Sequence, residues 1–204
     1  MLRLALAAVM LTGAAAHAAE PGVDPVTARY DEASASIKAA ASSADRTLAV
    51  LDGVPLEMAG VLVTVPYGDE PLQAVAGPTP AQVAATISMK RAYWTSIKKA
   101  LDKEAVQLAA DEASIRMRQS RVDALSSASL DRRLSLIQSM SLTSEKVGDE
   151  VMFRQVERQQ GLVTSVLADV EADAAFVSKP RDPGAAQALI ARKRAVFTTL
   201  AAFK

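Results

Sequence analysis

The stretch PAQVAATISMKRAYWTSIKKALDKEAVQLAADEASIRMRQSRVDAL, residues 80–125, decides the fold of this chain. Within it Ile87, Trp94, Leu101, Leu108, Ile115 and Val122 stand seven residues apart without exception. Two helical turns take about seven residues, so this repeat draws one apolar seam along a long helix. The companion positions are mixed: Ile97 and Leu125 are apolar, whereas Lys90, Glu104, Asp111 and Arg118 are not. A dimeric zipper needs both sets, so the pattern predicts an irregular bundle helix.

Beyond this stretch, Ser126-Ser127-Ala128-Ser129 loosens the seam, and Leu130, Leu134 and Ile137 resume it in a shifted phase. The reading is one long helix over 81–140, about 90 Å if unbroken, with a kink at the serine tract. Ser141 to Gly148 reads as a turn, with Thr143 or Ser144 capping a helix over 144–178. Val156, Val163, Val170 and Val177 repeat the heptad there, supported by Phe153, Leu167 and Ala174.

Three helix starts share a capping residue followed by proline: Asp24-Pro25, Thr79-Pro80 and Asp182-Pro183. The cap oxygen satisfies an orphan N–H, and proline in the first turn forfeits a donor that had no partner. Gln82 completes a capping box with Thr79. The first helix spans 25–51 with a narrow seam of Val26, Tyr30, Ala33, Ile37, Ala40, Ala44, Thr47 and Leu51. A short helix over 183–203 places Leu189, Val196, Leu200 and Phe203 on one face. The fold class is therefore all-α: an elongated bundle of three main helices, a short C-terminal one and a loop-rich appendage between the first two.

That appendage, residues 52–80, carries Gly53, Pro55, Gly60, Pro66, Gly68, Pro71, Gly77, Pro78 and Pro80, which forbid a continuous helix. Val61-Leu62-Val63-Thr64-Val65 is mostly β-branched and reads as a short strand. With no second strand in the chain, it packs as extended chain on the bundle or adds to a partner's sheet edge. Leaving it in water would be costly, which makes Val61, Leu62, Val63, Val65 and Tyr67 candidate partner contacts.

The N-terminus, MLRLALAAVMLTGAAAHAAE, has the order of a secretory signal peptide. Arg3 precedes an apolar run from Leu4 to Leu11, and Ala16-His17-Ala18 offers an A-x-A cleavage site. The run is too short to span a bilayer, which takes about 20 residues. The expectation is cleavage after Ala18, leaving residues 19–204 as a single helical domain in the periplasm with no transmembrane helix.

Composition narrows the chemistry. The chain has no cysteine and one histidine, His17, which lies in the predicted leader. A mature chain without either residue forms no zinc site of the usual kind, no Ser-His-Asp triad and no thiol nucleophile. The motifs GxGxxG and GxxxxGK[ST] do not occur, so no cofactor is expected. The formal net charge is zero, which gives no field for nucleic acid. Asp102, Glu104, Asp111, Glu112, Asp123, Glu150, Glu157, Glu171 and Asp173 fall among bases at helical spacings such as Glu112–Arg116 and Glu150–Arg154, and read as a solvated face.

Two other features are candidates for contact. Trp94, the sole tryptophan, is a core residue or an anchor for a ligand or partner, and Arg192-Lys193-Arg194, near Lys179 and Arg181, is a solvated helix face or an acidic partner's contact. The expected role is non-catalytic: an exported structural or assembly protein that binds envelope proteins, or itself, through helix faces and the appendage. Minor subunits of secretion and conjugation machines share that layout. Two other classes fit the composition, a small-ligand sensor with a pocket lined by Tyr93, Trp94, Met89 and Met117, and a holdase chaperone.

Overall fold

The structure, a computed structural model, describes residues 24–70, 72, 79–127, 132–178 and 182–203, and their side chains except those of 125–127 and 132–135. The predicted signal peptide 1–18 lies outside the described residues, as do Pro71, Gly77, Pro78, Ala128, Ser129, Leu130, Lys179, Pro180 and Arg181. The described backbone is all-α, with no strand among its residues. It comprises α1 (Pro25–Leu51), a 3₁₀ segment (Leu56–Thr64), α2 (Pro80–Ser127), α3 (Arg132–Val177) and α4 (Pro183–Ala201).

The proline starts are capped as their chemistry demands. Asp24 Oδ1 accepts from the Val26 N–H at 3.1 Å, and Asp182 Oδ1 from the Gly184 N–H at 3.1 Å. The Gln82 N–H donates to Thr79 Oγ1 at 3.3 Å while Gln82 Oε1 accepts from the Thr79 N–H at 2.8 Å, a reciprocal box.

The break in the long helix is displaced from its predicted place. Ser141 to Gly148 is not a turn but part of α3, and neither a helix over 81–140 nor one starting at 144 exists. Instead α2 ends at Ser127 and α3 begins at Arg132. Serines favour backbone bonding of their own over a helix interior, and four small residues in a row remove the seam that would hold a straight rod. A single Gly148 costs only about 1 kcal/mol in a helix and does not end one. Antiparallel pairing follows from the contacts: Arg91 meets Glu171, Asp102 meets Gln160, and Arg118 meets Glu145. As residue number rises on α2 it falls on α3 in one constant register.

All six heptad residues of α2, from Ile87 to Val122, are buried. They serve two unequal regions. Near the chain termini, α1, α4 and the 3₁₀ segment pack on α2 and α3 to form a head, whose core runs from Ile37, Trp94 and Leu101 to Val163, Val170, Leu189 and Phe197. That core ends at Leu108 and Val156. Past it, α2 and α3 continue as an antiparallel two-helix arm whose described core is Ile115, Val122 and Leu142.

Residues 61–65 form no strand. The 3₁₀ helix Leu56–Thr64 turns Ala59, Leu62 and Val63 inward and leaves Leu56, Met58 and Val61 exposed. Lacking a β partner, this backbone satisfies itself with i→i+3 bonds, such as the Met58 N–H to Pro55 O at 3.0 Å. Together with residues 65–70 it crosses the head as a strap.

Two glycines give opposite expectations. A Cβ on Gly68 would meet Ala40 Cβ at 2.9 Å and Ala40 Cα at 3.0 Å, so Gly68→Ala should destabilise the head by about 1–3 kcal/mol. A Cβ on Gly161, within α3, meets nothing within 4 Å, so Gly161→Ala should stabilise by roughly 0.5–1 kcal/mol. Urea unfolding of both variants checks the pair; equal shifts would contradict the strap's close approach to α1.

Candidate functional site

Beneath the strap lies a closed polar cluster contributed by every element of the head except α1. The strap delivers Tyr67 and Glu70, α2 delivers Lys90 and Trp94, α3 delivers Asp169 and Asp173, and α4 delivers Arg192 and Lys193. The helical contributions come in pairs one or four residues apart, so each pair shares a face or an edge of its helix. Tyr67, Lys90, Trp94 and Asp173 are wholly buried, with Lys193 at 1% exposure and Asp169 at 2%.

Tyr67 is the hub. Its hydroxyl donates to Asp169 Oδ2 at 2.5 Å and accepts from Lys193 Nζ at 2.7 Å. Lys90 Nζ and Lys193 Nζ each lie 4.8 Å from its ring centroid, Phe197 stacks at 5.5 Å, and Trp94 meets it edge-on at 6.1 Å. The Glu70 carboxylate folds back on the same turn. It accepts from the Tyr67 and Gly68 N–H groups at 3.0 and 2.8 Å, and from Trp94 Nε1 at 2.7 Å.

Lys193 Nζ also donates to Asp169 Oδ2 at 2.8 Å and Asp173 Oδ2 at 2.5 Å. Arg192 spans the outer oxygens of the same two carboxylates, through Nε to Asp169 and through Nη2 to Asp173 at 2.6 Å. Lys90 Nζ donates to the carbonyls of Val63 (at 2.8 Å) and Val65, two strap acceptors left outside the helical pattern. Three cationic side chains and three acids thus share the cluster: Arg192 and Lys193 pair with Asp169 and Asp173, while Lys90 and Glu70 are held by hydrogen bonds to uncharged groups.

The environment divides these groups. Burial pushes Asp169 upward, but the Lys193 ammonium and the bonds from Lys193, Tyr67 and Arg192 outweigh it and hold the carboxyl below its ordinary value. Burial wins at Asp173, which is raised despite Lys193. Burial also raises the Tyr67 phenol, reinforced by Asp173 and Asp169. Lys90 is pushed down to about 7, by burial first and by Lys193 second, against Asp173, Glu70 and Asp169.

A smaller polar group sits where α1 meets the hairpin. Gln159 Nε2 donates to Ser34 Oγ at 2.9 Å, while Tyr30 Oη, Glu104 Oε2 and Gln159 Oε1 have no protein partner. Burial, followed by Asp24, Asp31 and Asp111, raises the Glu104 carboxyl.

The sequence-predicted residues separate cleanly. Leu62, Val63, Tyr67, Trp94 and Lys193 are inside the chain, where the strap and head consume their surface; Val65 is half-buried with its carbonyl taken by Lys90. Val61 stays outside, and Arg194 is at the surface paired with Asp52 at 2.9 Å. The acidic complement of Arg192 and Lys193 is intramolecular. The solvated-face reading of the acids is corrected at two positions: Asp173 and Glu104 are buried, because each falls on a seam facing another helix. Glu112–Arg116 and Glu150–Arg154 are surface pairs at 2.5 and 2.6 Å. Glu70, Lys90 and Asp169 were missed; the signal for Lys90 was its place at a heptad companion position. No common pocket joins Trp94 with Met89 and Met117, since those methionines are exposed and stand 28 residues apart on one helix, about 42 Å.

The Lys90 ammonium gives a testable pH dependence. A lysine whose folded pKa lies below its unfolded value binds fewer protons when folded, so stability should rise with pH from about 7 toward 10. Above pH 10 the raised Tyr67 phenol acts in the opposite sense. Lys90→Met should lower stability at pH 7 by about 1–3 kcal/mol, since two strap carbonyls lose their donor, and should flatten the alkaline rise. Urea midpoints at several pH values read both effects; an unchanged slope in the variant would assign the rise elsewhere.

Comparison with family models, with curated proteins and with solved structures finds no match to this chain.

Proposed function

We propose that this chain is an exported, non-catalytic docking protein of the cell envelope, in which the head anchors a two-helix arm that binds other proteins. The observation carrying this reading is where apolar surface remains in water. The head closes over a large buried core and leaves apolar side chains outside mainly at its strap and at Val50. The arm exposes more for a thinner described core: Met117, Leu136, Ile137, Met140, Val147 and Val151 are each more than half exposed, from 56% to 66%. Isolated apolar residues on a surface need no explanation, but rows of them at helical spacing match what a partner helix would cover.

The rows run along the outer faces of the arm. On α2, Ala110, Ala113 and Met117 follow one another at steps of three and four, continuing from Val106 at the edge of the head, and all are exposed. The exposed strap residues Leu56, Met58 and Val61 supply a second apolar surface on the head, in keeping with a contact role for the appendage. No helix of the described residues is long and apolar enough to cross a membrane. Export rests on the order of Arg3, the Leu4–Leu11 run and Ala16-His17-Ala18. A minor subunit of a secretion or conjugation machine would use such an arm as a ledge for neighbouring helices.

The test is site-specific photo-crosslinking in the native envelope, with the probe at Met117 or Val147 on the arm, at Val61 on the strap, and at Met89 on the head as a control. Discrete adducts to the same few proteins from the arm, and few from Met89, are the expected result. Equal, diffuse labelling from all positions, or none from the arm, would sink the reading.

A further inference from the structure

The arm carries a surface that fits a second copy of itself. This inference rests on the docking reading of the arm and names one occupant for its α3 face. Among the described residues the two helices of the arm close over Ile115, Val122 and Leu142 alone, and helices of this kind draw most of their stability from tertiary packing. Opposite that core, α3 presents an outer stripe from Ile137 to Val151 that holds no charged residue and is exposed throughout.

The stripe is self-complementary about Ser144. Laid antiparallel against itself with Ser144 on the dyad, it sets Ile137 against Val151, Met140 against Gly148, and Ser141 against Val147. Large side chains therefore fall opposite small ones at two of the three pairings, and aliphatic meets aliphatic at the third. Gly148 has open space where a Cβ would stand, which leaves room for the partner's Met140. A twofold contact uses the same patch on both copies, and this sequence is built to meet itself.

The overlap is bounded by the fold. Antiparallel pairing on Ser144 runs from Arg132, where α3 begins, to Val156, where the head's core begins. The described contact face, Ile137 to Val151, falls within that overlap, and the two heads sit at opposite ends beyond it. Ile137, Met140, Val147 and Val151 are 63, 66, 56 and 60% exposed. At roughly 100 Å² apiece, together with Leu136 and the small residues between them, two copies bring together about 1,000–1,200 Å², the lower bound for a specific interface.

We propose that the protein forms a twofold, antiparallel dimer through the outer face of α3 centred on Ser144, so that two arms close into a four-helix unit. The chain contains no cysteine, which makes an introduced one diagnostic. Under mild oxidation the purified full chain carrying Ser144→Cys should convert to a disulfide-linked dimer, whereas Ala113→Cys on the outer face of α2 should stay monomeric. Val147→Glu combined with Val151→Glu should weaken self-association by about 100-fold in sedimentation experiments, with helix content unchanged because both side chains are exposed.

A monomeric mass for the unmodified protein at high micromolar concentration would overturn the proposal. So would disulfide dimers from Ala113→Cys and not from Ser144→Cys. The two readings separate in the envelope. A monomer whose Val147 probe labels other proteins refutes the dimer and keeps the docking role. A Ser144-centred dimer with no foreign adducts keeps the dimer and removes the docking role.

Discussion

The Tyr67 side chain and the two lysines flanking its ring hold the head together in a way its helices alone would not. The seam of α1 is built mainly of alanine and serine, with Ala33, Ala40, Ala41 and Ala44 buried beside Ile37. Small side chains let helices come close but interlock weakly, so many relative positions cost little. A phenol that must meet Asp169 and Lys193, on a strap whose carbonyls must meet Lys90, removes that freedom. The strap can close in one place, and once closed it sets where α4 lies on α3.

The network's contribution is specificity more than net stability. Removing two lysines and three carboxylates from water costs several kcal/mol per ion, and pairing them recovers about as much as it costs. Aliphatic residues of equal volume could make a head at least as stable. They could not distinguish one register of α4 from the next turn along. Asp169 and Asp173 stand one turn apart, and Arg192 with Lys193 bridges both; sliding α4 by a turn would leave a carboxylate buried and unpaired. That penalty is what a uniformly apolar interface lacks.

Much of the architecture was legible because it is periodic. The heptad of α2 and the capped prolines at 24–25, 79–80 and 182–183 each rest on local chemistry, and the structure realises them. The displaced helix break was less legible, because Gly148 and the serine tract are both weak signals and packing chose between them. The polar cluster was hidden for a different reason. Tyr67, Lys90, Asp169 and Lys193 lie up to 126 residues apart, and each alone resembles an ordinary surface residue. Only the fold shows that Arg192 and Lys193 answer Asp169 and Asp173. The β-branched run at 61–65 misled in the same way: its propensity is for a strand, but a strand needs a neighbour, and the donor its carbonyls meet is Lys90 of α2.

The same contrast separates head from arm. In the head, Lys90, Asp169, Asp173 and Lys193 find complements at seam positions, and the strap covers part of the apolar faces that four helices leave. In the arm, polar residues at the seam, such as Arg118, reach across to Glu145 with both side chains over 40% exposed, so the pairing adds little. Among the described residues, the arm keeps its continuity from the helices themselves and from Ile115, Val122 and Leu142, while other apolar side chains face outward. A chain that spends charged residues inside its head, and leaves aliphatic ones on its arm, has its surfaces arranged for contact at the arm. An outer face free of charge from Ile137 to Val151 is a continuation of that division, and an interior that lacks its other half.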